Sequence, residues 1–309
     1  MPVEMGRAEF DSNSASGRLK AAIRGLMEFD PQHQIDFLRP VDEPALVSPE
    51  SVSWQVFKNP IALFVGGIAA VLLELAEPRV RTGVWEHTSF RTDPVRRMRR
   101  TGLAAMLTIY GPRSKAEAMI ANVGRMHARV SGTTPAGDAY RASDPDLLDW
   151  VQTTASFGFL EAYCTFVHCL DDRAKDRFYA EAIPAAHLYG ASGAPASLAE
   201  QRAKFAGVRP NLERSEIVVE FLEIVSRAPI LPAPFRFFQR ALVRAGVAVV
   251  PPWLNDILDL GSRWRLRPWE RKLICLAGAL FDRVAIASSP AVQACRRMGL
   301  PPNFLYASR

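Results

Sequence analysis

The chain has 309 residues, of which 49% are hydrophobic and 23% are charged, with a formal net charge of +6 and a pI near 9.3. This composition is ordinary for a soluble globular protein with a substantial core, organised as one large domain or two. The charge favours acidic ligands or surfaces, but it falls well short of the basic tails of nucleic-acid binders.

The cysteine pattern excludes several kinds of site. The four cysteines form neither the C-x-x-C pairs of zinc and dithiol redox sites nor the C-x-x-C-H motif of covalent haem attachment. They are Cys164, Cys169, Cys275 and Cys295. Nothing indicates a disulfide framework, so a reducing cytoplasm is the expected compartment.

The N-terminal part carries scattered charges and lacks the basic and apolar regions of a signal peptide. Apolar spacing predicts a helix over Leu19–Phe29, and the four prolines between Asp30 and Pro49 predict an extended arm packed over a core. We therefore divide the chain into a helix and arm, residues 1–48, and a single helical domain, residues 49–309.

A strongly apolar run, Ile61 to Leu75, follows Pro60, a suitable first helical residue. The run is interrupted by Glu74 and is shorter than the roughly 20 residues of a membrane span, so it predicts a buried core helix and no transmembrane segment. Gly66 and Gly67 would let another helix or a ligand approach it closely. The next segment, Val80 to Arg91, reads as a loop or broken helix that carries Glu86 and His87.

Two helices are predicted between Pro94 and Gly132. The first places Arg97, Arg100 and Thr101 at i, i+3 and i+4, and therefore on one face. The second is predicted to begin at a capping box formed by Ser114 and Glu117.

The second helix carries a histidine in an apolar stripe. His127 follows Ile120, Val123 and Gly124 by seven, four and three residues. Gly124 lies one turn before the imidazole and leaves room beside it for a flat ligand. Spacing alone favours a core histidine bonded to a carbonyl over a metal ligand.

The rest of the chain also reads as helical. Asp144 and Pro145 are typical of a helix start, and the helix from Asp146 to His168 would form the opposing wall of a pocket, with Val151 and Phe157 on its inner side. Further helices are predicted over these segments: Asp171–Tyr189, Pro195–Ala206, Leu212–Ser226, Phe235–Val250, Trp269–Ala287 and Pro290–Met298. Because no alternating strand pattern of any length occurs, the sequence predicts an all-α fold.

The order of several short motifs resembles that of the latex clearing protein and MpaB-type oxygenase family. The motifs are R-x-x-R-T-G from Arg97, Y-G at Tyr110, H-x-x-V-x-G from His127, and Y-x-A-x-D-P-x-L-L-x-W-V over Tyr140 to Val151. Members of that family are helical b-type haem proteins. The resemblance implies a globin-like core with extra helices around a haem b.

The resemblance also implies roles for individual residues. His127 would be the axial ligand of the haem iron, and Arg97, Arg100 and Thr101 would be the catalytic donors on the opposite face, directed at dioxygen. The residues expected to bind the cofactor are His127, Gly124, Val123, Ile120, Arg129, Phe157 and Val151.

The chain departs from the family pattern at three positions. Arg100 stands where latex clearing proteins can have a lysine that caps the iron, and a protonated guanidinium is a poor ligand. Ser131 replaces a frequent arginine, whose contacts Arg129 would have to make. Gln152 replaces an expected histidine.

His87 ranks second to His127 as a candidate metal ligand.

The sequence thus predicts a haem b-dependent oxygenase that acts with dioxygen on a small apolar substrate, such as an isoprenoid, a lipid or a secondary metabolite. One alternative is a haem-binding sensor or carrier without catalysis. The other is a basic helical module in which Arg96, Arg97, Arg99 and Arg100 meet nucleic acid or an anionic membrane. No nucleic-acid partner is expected under the first reading, and the sequence leaves the oligomeric state open.

Overall fold

The computed structural model describes residues 35–231 and 235–306. This part of the chain is all-α, as predicted, with thirteen α-helices and one small sheet. The helices are α1 Val52–Phe57, α2 Pro60–Ala76, α3 Pro78–His87, α4 Pro94–Tyr110, α5 Arg113–His127, α6 Pro145–Phe166, α7 Asp172–Leu188, α8 Leu198–Val208, α9 Glu216–Arg227, α10 Arg236–Val249, α11 Pro252–Leu258, α12 Pro268–Phe281 and α13 Pro290–Arg297. The strands are β1 Ser131–Thr133 and β2 Ala139–Arg141, which pair antiparallel.

The centre of the fold is the packed pair α2 and α6. Gly66 of α2 lies so close to α6 that a Cβ there would be 2.7 Å from the Cα of Phe159 and 2.8 Å from the carbonyl oxygen of Gly158. The two backbones therefore touch, and glycine is the residue that permits it. Helix α10 also packs on α2, with Gly246 against Ile68.

The first backbone amides of helix α2 have a side-chain hydrogen-bond partner. The buried side chain of Asn59 accepts hydrogen bonds from the amides of Ile61 and Ala62, and its own amide donates to the carbonyl of Gly278 at 2.9 Å. Among the described residues no single helix is long and apolar enough to cross a membrane. Two pairs of helices joined at sharp bends, α2 with α3 and α10 with α11, reach that length and apolar composition together.

Residues 35–49 contain no helix and contribute Phe37, Ala45 and Val47 to a second core beside α1, α4 and α13. The buried guanidinium of Arg297 donates to the carbonyls of Phe37 and Glu43 and to that of Tyr110, at 2.7 to 2.8 Å. The predicted helix Leu19–Phe29 lies outside the described residues.

The prediction of a loop or broken helix after α2 was wrong. Residues 78–87 form the continuous helix α3, because Pro78 occupies its first position and the carboxylate of Glu77 accepts from the amide of Val80 at 2.7 Å. Only residues 88–93 connect it to α4. Glu86 and His87 lie at its exposed C-terminal end.

The predicted capping box at Ser114 was also wrong. Helix α5 begins at Arg113, and both the amide and the hydroxyl of Ser114 bond to the carboxylate of Glu43 in the arm, at 2.6 and 3.1 Å. A partner 71 residues away in the chain thus takes the place of the local one.

Four smaller elements were missed. The strands β1 and β2 have three residues each, too few for an alternating pattern to register. The short helices α1 and α11 have six and seven residues.

Candidate active site

Four helices bring polar side chains to one region of the fold. On α2, the half-buried residues Phe64, Gly67, Val71 and Glu74 recur at helical spacing and form one stripe beside the packed glycine seam. This stripe is therefore the part of the central helix that the neighbouring helices cover incompletely.

Glu74 is the carboxylate of this stripe. It retains some accessible surface, yet burial raises the pKa of its carboxyl to about 7, with the charge of Arg97 and a hydrogen bond from Thr154 acting in the opposite direction. The Thr154 hydroxyl on α6 lies 3.4 Å from the Glu74 carboxylate. At neutral pH this carboxyl is therefore divided between its protonated and ionised forms.

Arg97 of α4 joins the two titratable groups of the site. Burial lowers the pKa of its guanidinium, the charge of Glu74 raises it, and Arg100 lowers it again. The guanidinium donates to the hydroxyl oxygen of Thr101, and that hydroxyl donates to the Arg97 carbonyl at 3.0 Å. This predicted pair is thus present as a bonded unit.

His127 is the last residue of α5 and is half-buried. Burial lowers the pKa of its imidazole, and the charge of Arg97 lowers it further. Within residues 35–231 and 235–306, neither ring nitrogen makes a hydrogen bond. The ring is thus held neutral, with a lone pair available.

Two glycines border open space near these groups. A Cβ built on Gly67 of α2 or on Gly124 of α5 would meet no atom within 4 Å. Gly124 is exposed and lies one turn before His127, so no side chain occupies this position beside the imidazole.

The remaining predicted residues are distributed as follows. Ile120 is buried, Val123 and Val151 are half-buried, and Arg100 and Arg129 are exposed. Phe157 faces elsewhere: its ring packs against Phe205 at 5.0 Å between centroids, in an aromatic cluster with Trp150 and Trp253. His168 is exposed after the opposite end of α6.

Sequence reasoning missed Glu74 as a site residue. We read it only as an interruption of an apolar run. The available signal was that Glu74 is the one charged residue in the seventeen of α2 and that it follows Gly67 by seven residues, two turns along the same face. A carboxylate in a core helix needs a partner or a function, and Arg97 is the cation whose charge lowers the pKa of Glu74.

The family model of the ER-bound oxygenase mpaB/B′ and rubber oxygenase catalytic domain matches residues 54–285. The chain belongs to this oxygenase family. The match spans α1 to α12 and so contains all four site helices. No curated protein and no solved structure gives a significant match to the chain.

Membership of the mpaB and rubber oxygenase family gives the site its general chemistry. The chain carries an oxygenase catalytic domain, whose reaction involves an organic substrate and dioxygen. Within this domain, Glu74 accepts from Thr154, and the charge of Arg97 acts on both Glu74 and His127.

Proposed function

We propose that the chain is a haem b-dependent oxygenase that oxidises a small apolar organic substrate, with His127 as the axial ligand of the iron. The proposal is supported by the electrostatic coupling of Glu74, Arg97 and His127, which lie on α2, α4 and α5: the charge of Arg97 lowers the pKa of both other groups. The family match supports the oxygenase chemistry.

The residues present fit a haem. His127 offers a neutral imidazole, and neither the half-buried Gly67 nor the exposed Gly124 places a side chain in the way of a flat group. Nowhere in the described part of the chain do three His, Cys, Asp or Glu side chains gather as a metal-ion site. A single protein ligand suits a porphyrin, which supplies four nitrogen ligands of its own.

Basic side chains near this space would serve the haem propionates. Arg100 and Arg129 are both exposed, and neither forms a salt bridge with a described residue. A guanidinium binds a carboxylate through two parallel hydrogen bonds, so these two residues are the ones we assign to the propionates.

The bound haem would supply the redox chemistry that activates dioxygen. The protein's own groups would do the rest. The guanidinium of Arg97 would donate hydrogen bonds that favour negative charge developing on oxygen. Thr101 accepts from one of its N–H groups and its own hydroxyl donates to the Arg97 carbonyl, so Thr101 would orient the guanidinium beforehand. Glu74, with a pKa of about 7, would accept or return a proton at neutral pH.

An apolar substrate agrees with the lining of the α2 stripe. Phe64 and Val71 share the face of Gly67 and Glu74, and both keep accessible surface. Such a surface favours a hydrocarbon or lipid-like molecule, because the apolar side chains bury the apolar area of the substrate and offer no hydrogen bonds to a polar one.

Glu74 also favours an enzyme over a haem sensor or carrier. A carboxyl that titrates near neutral pH inside a protein costs stability and is typical of acid–base catalysis. The basic-module interpretation has less support, because the four arginines of α4 do not form one exposed surface. Arg96 and Arg100 are exposed, Arg97 is half-buried, and the Nε of Arg99 is buried without a partner among the described residues.

The test is haem loading of the purified full-length protein. We expect a Soret band and a b-type pyridine haemochrome in the wild type, and loss of haem or a changed ligation spectrum in His127→Ala. His87→Ala and His168→Ala are the matched controls and should keep the wild-type spectrum, because both residues are exposed away from Arg97.

Two results would contradict the proposal. A wild-type protein that remains colourless after incubation with hemin excludes the cofactor. A His87→Ala variant that alone empties the site shows that the cofactor is right but the ligand is wrong.

A further inference from the structure

Helix α12 carries apolar residues on two opposite faces. Ile274, Gly278 and the partly buried Phe281 face the core, where Gly278 contacts the end of α6. The other side presents Trp269, Leu276 and Leu280 to solvent, with exposed fractions of 50%, 69% and 57%. A surface helix normally has polar residues there.

The exposed residues form a continuous stripe. Trp269, Leu273, Leu276 and Leu280 follow one another at intervals of four, three and four residues, so they share one face over about 16 Å of helix. Val284, 44% exposed, extends the apolar surface just beyond the helix end. We call these five residues the α12 stripe.

Cations surround the stripe. Exposed basic side chains lie before the helix, on it and after it, at Arg265, Arg267, Lys272 and Arg283. None of the four forms a salt bridge with a residue of the described chain, whereas Arg271 lies on the opposite face with its guanidinium over the ring of Phe166. The carboxylates on the helix and next to its end are both engaged: Glu270 is buried and paired with Arg244, and Asp282 is paired with Lys58. The rim is therefore positive, with no exposed acid on α12.

We propose that the α12 stripe is a docking surface for an anionic lipid membrane, on which the protein binds peripherally. Leucines and a tryptophan at the edge of a helix insert into the boundary between headgroups and acyl chains, while surrounding arginines and lysines bind lipid phosphates. The long basic side chains reach the headgroups while their stems cover apolar surface.

The charge of the rim argues against a second copy of the chain as the occupant. A two-fold dimer would place the same patch on both subunits. Two cationic rims would then face each other, and like charges brought together across an interface oppose association. A surface with a high density of negative charge complements the rim instead.

The experiment measures flotation of the full-length protein with vesicles of phosphatidylcholine containing 30% phosphatidylglycerol, and with pure phosphatidylcholine. We expect binding to the anionic vesicles, weaker binding to the neutral ones, and weakening with added salt because salt screens the rim. The variant Trp269→Gln/Leu276→Gln/Leu280→Gln should lose at least tenfold in partitioning to the anionic vesicles.

Matched controls separate the stripe from general effects. Val41→Gln/Leu188→Gln alters two other exposed apolar residues, 67% and 48% accessible, and should bind as the wild type does. Arg265→Gln/Lys272→Gln/Arg283→Gln should lose the preference for anionic vesicles but keep the weak neutral binding. All variants change exposed side chains, and circular dichroism checks that each one folds.

Fluorescence locates the contact. Trp269 is the only exposed tryptophan of the described chain; Trp54, Trp85, Trp150 and Trp264 are buried and Trp253 is partly buried. Quenching by brominated lipid in the anionic vesicles should therefore occur in the wild type and disappear in Trp269→Phe.

Three outcomes would overturn the proposal. They are absence of flotation with anionic vesicles, unchanged flotation in the stripe variant, and a wild-type dimer in light scattering that the stripe variant abolishes. The last would identify a second copy of the chain as the occupant. None of these measurements depends on haem or on turnover, so they stand apart from the test of the proposed function.

Discussion

The two neighbouring glycines of α2 have opposite surroundings. At Gly66 an added Cβ would run into the backbone of α6, whereas at Gly67 it would meet nothing within 4 Å. One side of the helix is thus a seam of closest packing, and the adjacent side is a wall of open space that carries Glu74. The difference shows that the same residue type serves two purposes here, close approach of backbones in one case and room for a ligand in the other.

The largest effect is expected on the open side, at the pair Arg97 and Thr101. Arg97→Ala should keep the haem but lower turnover by on the order of 10²–10³, because its guanidinium favours charge that develops only during reaction. Thr101→Val removes the oxygen that orients this guanidinium and should lower turnover less, again with full haem. The measurement is dioxygen consumption with an accepted substrate, alongside the haem content. Full haem with unchanged turnover in both variants would assign this pair to structure or to propionate binding.

The packed side should respond in stability. Gly66→Ala forces a Cβ against the Phe159 Cα and the Gly158 carbonyl oxygen, so α2 and α6 must separate, at a cost of about 2 kcal/mol after the gain in helix propensity. Gly158→Ala, which meets the Gly66 carbonyl, should behave alike. Chemical denaturation measures both, and a variant as stable as the wild type would show that the seam is looser than the structure has it.

Glu74 should make stability depend on pH. Its folded pKa of about 7 exceeds the ordinary value of 4.5, so the folded protein keeps a proton that the unfolded chain releases between these values. The contribution of Glu74 to the free energy of unfolding is therefore most favourable below pH 4.5. It falls as the pH rises from 4.5 to 7, and it is constant above pH 7.

The same shift sets the size of the effect. Glu74→Gln should remove the decrease in stability between pH 4.5 and 7. Above pH 7 it should stabilise the protein by up to roughly 3 kcal/mol relative to the wild type. Unfolding free energies measured at pH 5 and pH 8 check this; Glu117→Gln, at an exposed position on α5, is the control and should leave the pH dependence as it is.

The smallest effect belongs to the second glycine. Gly67→Ala should raise the stability of the haem-free protein by up to about 1 kcal/mol, since alanine favours the helix and no neighbour opposes it. It should also weaken haem binding, because the methyl group enters the open space. If Gly67→Ala instead destabilised the protein as much as Gly66→Ala, the contrast between the two faces would fail.

Local sequence signals predicted most of the fold. The helices α2, α6, α7 and α10 differ from prediction by no more than two residues at either end, because proline and asparagine or aspartate signals mark most starts and the apolar period marks the rest. The failure at Ser114 has a non-local cause. Ser114 bonds to Glu43, 71 residues earlier, and such a partner has no local signature.

The candidate site was predictable only in part. Helical spacing placed Arg97 with Thr101 and His127 with Gly124, since each pair lies within one turn of a single helix. The relation of Glu74 to Arg97 and of Phe157 to Phe205 depends on how helices pack, which spacing within one helix does not determine. The roles of these residues therefore stay predictions for the experiments above.

The three carbonyls bound by Arg297 bear on the size of the folding unit. Phe37, Glu43 and Arg297 lie outside the matched residues 54–285, yet together they hold the corner at Tyr110 where the arginine helix α4 turns into the histidine helix α5. The angle between the helices that carry Arg97 and His127 is thus set from beyond the catalytic domain as the family defines it. An excised fragment of residues 54–285 would lack the guanidinium and two of its partners, and it would be the wrong object on which to measure either haem affinity or turnover.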